Sequence, residues 1–220
     1  MQIHMKISKT IIALSLIAAS TLTHADFFGT LSGRSANPAD SPALSVEGSF
    51  SFSSDYENIG ARVNYNVNET ITVYGDFGLS DIGEPDGNSF GVGLFYYLPV
   101  LEGYDSAVQA SFHTASLDTG SFDTDVTAFG GAFLVTPQTP LNPDTGLNWY
   151  ANVGLTLLSI DIDVPFFDGF GIGSVSASDD STELQIGGGV YMPYGPGTIY
   201  GGADLIDEFI VGIGYRYAIQ

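Results

Sequence analysis

The chain has 220 residues, with 25 acidic side chains against five lysines and arginines, no cysteine, and a formal net charge of −20. So acidic a composition excludes a nucleic-acid-binding surface, which requires a basic patch. The lack of cysteine excludes disulfides and thiol chemistry. The 28 glycines and 13% aromatic residues favour a single domain of many strands and turns.

The first 25 residues have the three parts of a secretory signal peptide. Lys6 and Lys9 form a positive n-region, residues 11–19 form an apolar h-region, and residues 23–25 read Thr-His-Ala, a small-residue cleavage site. The apolar run has about half of the roughly 20 residues that a membrane-spanning helix needs. We therefore expect export and cleavage after about Ala25.

Cleavage divides the chain into a signal peptide (residues 1–25), a leading segment or linker (residues 26–43) and a barrel (residues 44–220). Both lysines leave with the signal peptide. The mature chain then keeps Arg34, Arg62 and Arg216 as its only basic side chains besides one histidine.

Ten segments after residue 43 alternate between apolar and polar residues, which is typical of strands with one apolar face. The last segment is the most regular, with Phe209, Ile213 and Tyr217 among the apolar residues on one side. The segments are residues 44–53, 59–67, 71–79, 90–98, 108–114, 126–134, 149–157, 184–192, 199–205 and 209–219.

The length and chemistry of these segments favour a membrane barrel. Most run about 9 to 11 residues, the length of a tilted transmembrane strand, whereas soluble strands average about five or six. Their polar face consists mainly of Gly, Ser, Thr, Asn and Gln, where a soluble exterior would be rich in Lys and Glu. The alternative is a soluble, lipocalin-like periplasmic barrel with its apolar face inside.

Only a closed sheet satisfies every backbone hydrogen bond in lipid. We therefore predict an all-β fold, an antiparallel up-and-down transmembrane β-barrel of about ten strands, with eight or twelve as alternatives. The first strand would run outward, which puts a turn near Asn68-Glu69 in the periplasm. Residues 161–181 would then form a long outer loop, and Asp207-Glu208 a very short one.

The end of the chain, Gly212-Ile213-Gly214-Tyr215-Arg216-Tyr217, resembles the C-terminal assembly signal of outer-membrane proteins. Those proteins commonly end in Phe or Trp, whereas this chain ends Ala218-Ile219-Gln220. The resemblance implies the cell outer membrane as location, with outer-membrane lipid and the barrel-assembly machinery as partners. Residues 91–99, which read GVGLFYYLP, are similar to YfaZ-like small barrel proteins of Gram-negative bacteria, without implying a role.

His113 is the one histidine of the predicted mature chain and a candidate for rim chemistry. Lipid A deacylases carry a His-x-Ser pair on one strand, but here Ser116 follows at a spacing of three, which places it on the opposite face. Ser111 shares the face of His113, yet the sequence identifies no carboxylate to orient the histidine. We therefore expect a solvated lumen or rim histidine, no catalytic residue and no cofactor.

Carboxylates cluster in the segments predicted to lie outside. Hard cations such as Ca²⁺ prefer oxygen ligands, but no cluster has the glycine and spacing of an EF-hand. The clusters are a candidate for divalent cations at acidic outer loops, and the alternative is a solvated anionic surface. They are Asp81, Glu84 and Asp86, then Asp161, Asp163 and Asp168, then Asp179, Asp180 and Glu183.

Two of the three arginines of the predicted mature chain, Arg62 and Arg216, lie on the polar face of their strands. A turn at residues 68–70 puts Arg62 opposite Asp76, and a tight turn at residues 54–55 puts Glu47 across from Arg62. Barrel closure then brings Arg216 beside Glu47. We predict that these four residues form a charge network that plugs the lumen and joins the first strand to the last. The alternative is that each arginine contacts lumen water.

These observations favour a passive outer-membrane barrel, acting as a narrow pore, an envelope-structural component or a surface-binding module. The alternative from another class is a barrel enzyme, a lipid hydrolase or protease, that uses His113 with Ser111 at the outer rim. No metal site is predicted.

Overall fold

The computed structural model describes residues 35–36, 42–53, 57–81, 86–118, 123–168, 171–206 and 208–219. The predicted signal peptide lies outside these residues. The described residues form ten strands: β1 (Leu44–Phe52), β2 (Glu57–Asn66), β3 (Ile71–Asp81), β4 (Asp86–Leu101), β5 (Tyr104–Asp118), β6 (Asp123–Pro137), β7 (Asn148–Asp168), β8 (Gly171–Tyr194), β9 (Gly197–Ile206) and β10 (Glu208–Ile219).

Each strand pairs antiparallel with the next along the chain, and β1 pairs with β10 to close the sheet. This arrangement confirms the predicted all-β, up-and-down barrel of ten strands. Among the described residues, there is no helix long and apolar enough to cross a membrane.

The strands are tilted relative to the barrel axis. The row of directly paired residues through Glu47 reaches β8 at Ser181 when followed through β2 to β7. Followed the other way, through β10 and β9, the same row reaches β8 at Pro193. The two ends of the row do not meet because closing a sheet requires tilt and stagger. Residues far apart in one row therefore stand at different heights in the lumen.

One end of the barrel, here called the turn end, holds tight turns. β2 and β3 join through a turn in which the Asn68 side-chain oxygen accepts hydrogen bonds from the backbone amides of Thr70 and Ile71, at 2.8 and 2.9 Å. Gly103, Gly146 and Gly195 lie in the other turns at this end, with φ of 80°, 68° and 58° that favour glycine. We call the opposite end the rim end.

The prediction of an outer loop over residues 161–181 was wrong. β7 and β8 continue through this region and stay paired as far as Asp168 and Gly171. The alternation of faces also continues, but with its chemistry reversed, because Ile160 and Ile162 are buried while Asp161 is exposed. Because acidic residues lie on the outer face here, the sequence of this part of the strands resembles that of a loop.

The interior of the barrel is filled by large side chains that stand against glycines. Gly214 on β10 lies beside the buried ring of Tyr200, and a Cβ at this position would overlap the ring. Gly202 on β9 leaves room in the same manner for the Tyr150 hydroxyl, which a Cβ there would overlap. Glycine on the inner face thus creates the room that the tyrosines need.

This packing predicts that Gly214→Ala destabilises the barrel whereas Gly48→Ala does not. A methyl group at Gly214 would overlap Tyr200, and overpacking of this kind costs about 1–3 kcal/mol. Gly48 faces outward with nothing within 4 Å of a built Cβ, so its change should stay within about 0.5 kcal/mol. Urea unfolding of the two refolded variants measures the difference. Equal effects would contradict this account of the lumen.

Candidate functional site

Arg62 and Asp76 form an ion pair in the lumen, on the inner faces of β2 and β3. The Arg62 Nη2 lies 2.6 Å and its Nε 3.0 Å from the same oxygen, Oδ2, of Asp76. Both side chains are buried, and the guanidinium also stands 4.1 Å from the centre of the Tyr74 ring. A buried charge is costly unless paired, so carboxylate and ring together stabilise this arginine.

A second ion pair lies at the seam between β1 and β10. The Nε of Arg216 donates to the Oε1 of Glu47 at 2.9 Å. The same carboxylate accepts hydrogen bonds from the Asn64 amide at 2.6 Å and from the Tyr200 hydroxyl at 3.1 Å. Donors from β2, β9 and β10 thus converge on one acid of β1, so this contact set holds the closing strands together.

The two ion pairs lie side by side, because Glu47 and Arg62 are directly paired positions of β1 and β2. The structure therefore brings together all four residues that the sequence predicts as a network. Asp204 of β9 is a further buried carboxylate of the lumen, and it accepts a hydrogen bond from the Asn152 amide at 3.1 Å. The sequence signal for Asp204 was its place on the inner face of β9.

His113 is a further member of the charged lumen rather than a residue of an exposed rim. Its side chain is 2% exposed, and its Nε2 lies 3.2 Å from the Oδ1 of Asp76. Asp76 is on β3 and His113 on β5, with Gly91 of β4 paired to both. A Cβ on Gly91 would overlap the side chains of both Asp76 and His113. Glycine on the middle strand therefore allows the contact across two strand spacings.

Sequence reasoning missed a carboxylate partner for His113, and the structure supplies one in Asp76. Ser111 faces the same interior, but no hydrogen bond joins it to His113 among the described residues. The geometry thus orients the histidine without bringing a hydroxyl nucleophile to it. The contacts that do form are those of an ionic cluster.

Toward the rim end, the inner faces of β5, β6 and β7 become apolar. Outward residues there are polar instead: the Ser116 hydroxyl donates to the Asp125 carboxylate at 2.8 Å, and both are exposed. This part of the barrel has the chemistry of a soluble sheet, and it places an apolar layer above the charged one. The buried layer consists of Ala115, Leu117, Val126, Ala128, Leu158, Ile160 and Ile162.

The exterior between the two ends is an apolar belt. Val92, Leu155 and Leu157, for example, are 58%, 55% and 56% exposed. Tyrosines and one tryptophan flank the belt at the turn end, where the rings of Tyr104 and Trp149 meet edge to face at 6.2 Å. Exposed tyrosines at this margin include Tyr65, Tyr194 and Tyr217. Aromatic girdles of this kind mark the margins of the apolar band of membrane barrels.

The acidic clusters predicted in outer loops are largely parts of strands. Asp161 lies on β7, and Asp179, Asp180 and Glu183 lie on β8, whereas Glu84 falls outside the described residues. Within the described part of the chain, no group of three or more His, Cys, Asp or Glu side chains has a geometry that could hold a metal ion.

No protein-family model matches the sequence, and no curated protein matches it significantly. Similar solved structures include the KdgM porin, with 9% sequence identity, a TM-score of 0.41 and coverage of 80% of this chain and 99% of that chain. The NanC porin has 12% sequence identity and a TM-score of 0.41, with coverage of 80% of this chain and 100% of that chain. The N-terminal β-barrel domain of Pseudomonas aeruginosa OprF has 11% identity and a TM-score of 0.35, with coverage of 79% of this chain and 96% of that chain. At such low identities and TM-scores nothing about function follows, and the similarity to YfaZ-like proteins stays a prediction.

The lumen geometry predicts strong coupling between Arg62 and Asp76. Arg62→Met leaves the Asp76 carboxylate buried without its arginine, and losing one partner of a buried pair costs about 3–5 kcal/mol. Asp76→Asn should also destabilise, since it leaves the guanidinium uncompensated.

The double variant Arg62→Met/Asp76→Asn should be more stable than the sum of the two single losses, because neither charge remains alone. Urea unfolding of the refolded barrel measures all four proteins of the cycle. Strictly additive losses, or single losses below about 0.5 kcal/mol, the range of ordinary surface substitutions, would refute the coupling.

Proposed function

We propose that this chain is an integral outer-membrane β-barrel with a passive role, sealed along its lumen and acting in envelope structure or surface binding. One observation carries the proposal: between the two ends of the barrel, large apolar side chains point outward on every strand, and the paired charges of Glu47, Arg62, Asp76 and Arg216 point into the lumen. A soluble barrel has the opposite arrangement, with its apolar side chains inside.

The free energy of exposing apolar surface is lower in lipid than in water, and this difference supports a membrane location. Apolar surface left in water costs about 25 cal/mol per Å², and a contiguous belt around the whole barrel is far larger than the patches that soluble monomers expose. Val63, Leu94 and Ile213 belong to this belt, on strands from opposite parts of the sequence. In lipid the cost disappears, and closure of the sheet leaves no backbone edge exposed to hydrocarbon.

The outer membrane of a Gram-negative bacterium is the compartment that fits a secreted barrel. The predicted signal peptide over residues 1–25 directs export, and the final strand carries the alternating aromatic ending that resembles an assembly signal. The turn end, where β1 begins and β10 ends, would then face the periplasm, and the extensions of β7 and β8 at the rim end would project outward. The proposed partners are outer-membrane lipid and, during biogenesis, the barrel-assembly machinery.

The contents of the lumen favour a sealed barrel over a narrow pore. The ionic layer around Glu47 and Arg62 is buried, and the apolar layer around Leu158 and Ile160 lies above it. Ions would have to pass paired charges and then an apolar constriction, which opposes conduction. Ten strands also enclose little more than the eight-stranded barrels whose interior is just filled by side chains. We therefore place the function on the exterior and the rim.

Cell fractionation with electrophoresis tests the proposal directly. The protein should sediment with the outer membrane, and the unboiled sample should migrate differently from the boiled one, because a closed barrel resists detergent until it is heated. Recovery in the soluble periplasmic fraction with a single mobility would favour the soluble barrel instead.

A charge placed in the belt separates the membrane setting from the soluble one. Val92→Arg should impair insertion or lower stability by about 2–4 kcal/mol, the cost of arginine near the bilayer midplane. Ser178→Arg is the matched control, because Ser178 is exposed on β8 beyond the belt. Refolding yield into lipid vesicles measures both. If Val92→Arg refolds as well as Ser178→Arg, the belt does not face lipid.

Planar-bilayer recordings should show no channel, or only small cation-selective steps. The lumen is filled, and the acidic residues near the rim concentrate cations over anions. Steps in the nanosiemens range, or selectivity for anions, would contradict a sealed barrel of this charge.

A further inference from the structure

Two residues of the leading segment, Ser35 and Ala36, are buried against the barrel wall. Ser35 and Ala36 precede β1 in the sequence, yet they are 2% and 1% exposed. Burial this complete means that other parts of the chain surround them on every side. A linker running over the surface would be exposed instead.

Two hydrogen bonds hold residues 35–36 to β6 and β8, the strands on either side of β7. The backbone amide of Ala36 donates to the Thr136 hydroxyl on β6 at 2.9 Å. The Tyr191 hydroxyl on β8 donates to the Ser35 hydroxyl at 3.1 Å. Tyr191 also accepts from the Asn148 amide of β7 at 3.3 Å, so a second contact within the wall holds its hydroxyl in place.

Apolar contacts complete the binding site of residues 35–36, which we call the seat. Ala36 belongs to one buried cluster with Tyr97 of β4, Ala107 of β5 and Leu134 of β6. A small cavity lined by Thr70, Tyr97 and Ser106 adjoins Ala36. The seat therefore holds this residue through its backbone amide and its methyl group.

The seat lies at the turn end. Tyr97 stands near the end of β4, and Thr136 is the last residue but one of β6. The turns that follow these strands contain Gly103 and Gly146. The segment thus occupies the mouth next to the tight turns, and the ionic layer lies deeper in the barrel.

We propose that the turn-end mouth is a peptide-binding site which this chain occupies with residues 35–36, so that these two residues form an internal plug. Thr136 accepts a hydrogen bond from the backbone amide of the bound peptide, Tyr191 donates to a hydroxyl side chain, and the cluster around Leu134 packs against the methyl group of Ala36. The plug, the ionic layer and the apolar layer then close the lumen in series. The inference does not depend on the membrane setting, because it concerns only the segment and the interior.

Disulfide trapping tests the plug, since the full chain has no cysteine of its own. In the variant Ala36→Cys/Thr136→Cys one thiol takes the place of the Thr136 hydroxyl, which lies 2.9 Å from the backbone amide of residue 36, so the two cysteines are neighbours. Mild oxidation should join them in most molecules, seen as a faster band on non-reducing denaturing gels. In the control Ala36→Cys/Val135→Cys the second thiol faces outward, and only a small minority of the molecules should cross-link. Equal yields in the two variants would overturn the proposal.

A labelling experiment covers the case in which a double variant does not fold. The single variant Ala36→Cys should react with a bulky maleimide about ten times more slowly in the folded protein than after boiling. Glu102→Cys, exposed in a turn at the same end, should react at similar rates in both states. Rapid labelling of the folded Ala36→Cys variant would also overturn the plug.

Discussion

Closure of the sheet between its first and last strands is the constraint on which the rest of this structure depends. Once β1 pairs with β10, the first and last strands both have a partner on each side. The part of β8 before Ile186, which β9 does not reach, lies toward the rim end. The exterior of the belt is then free to be apolar, because backbone groups are satisfied within the sheet. The Glu47 carboxylate stands at this junction and accepts from Arg216, Asn64 and Tyr200 on three other strands. A cluster of polar contacts thus lies where the first strand meets the last.

Closure also makes the interior narrow, and the narrow interior explains the glycines. At several positions a charged or aromatic side chain fits into the lumen because a neighbouring strand carries a glycine. Gly91 lies between Asp76 and His113 in this way, and Gly214 lies under Tyr200. Side chains from the whole wall therefore fill the lumen. The filled lumen has three layers along the axis: the plug at the turn end, the paired charges, and the apolar cluster toward the rim end.

Much of this arrangement was predictable from the sequence, and the part that was not has a physical reason. Period-two alternation predicts the ten strands and their faces. A short turn sets the register of two strands, so the turn at residues 68–70 predicts that Arg62 pairs with Asp76. The contact between Asp76 and His113 depends on barrel tilt and on a glycine in the strand between them. The extension of β7 and β8 was missed because its alternation has reversed polarity. The burial of Ala36 carries no local signal at all.

A nitroxide scan along β7 in lipid vesicles tests most directly whether the belt faces lipid while the charged face is enclosed. Single cysteines are placed in turn from position 149 to position 162 and labelled. Labels at positions 153, 155 and 157 should collide with oxygen dissolved in the bilayer and not with a water-soluble nickel complex. Labels at positions 159 and 161, on the same outward face but beyond the belt, should show the opposite preference. Access of the nickel complex to positions 153, 155 and 157 would contradict the lipid-facing belt.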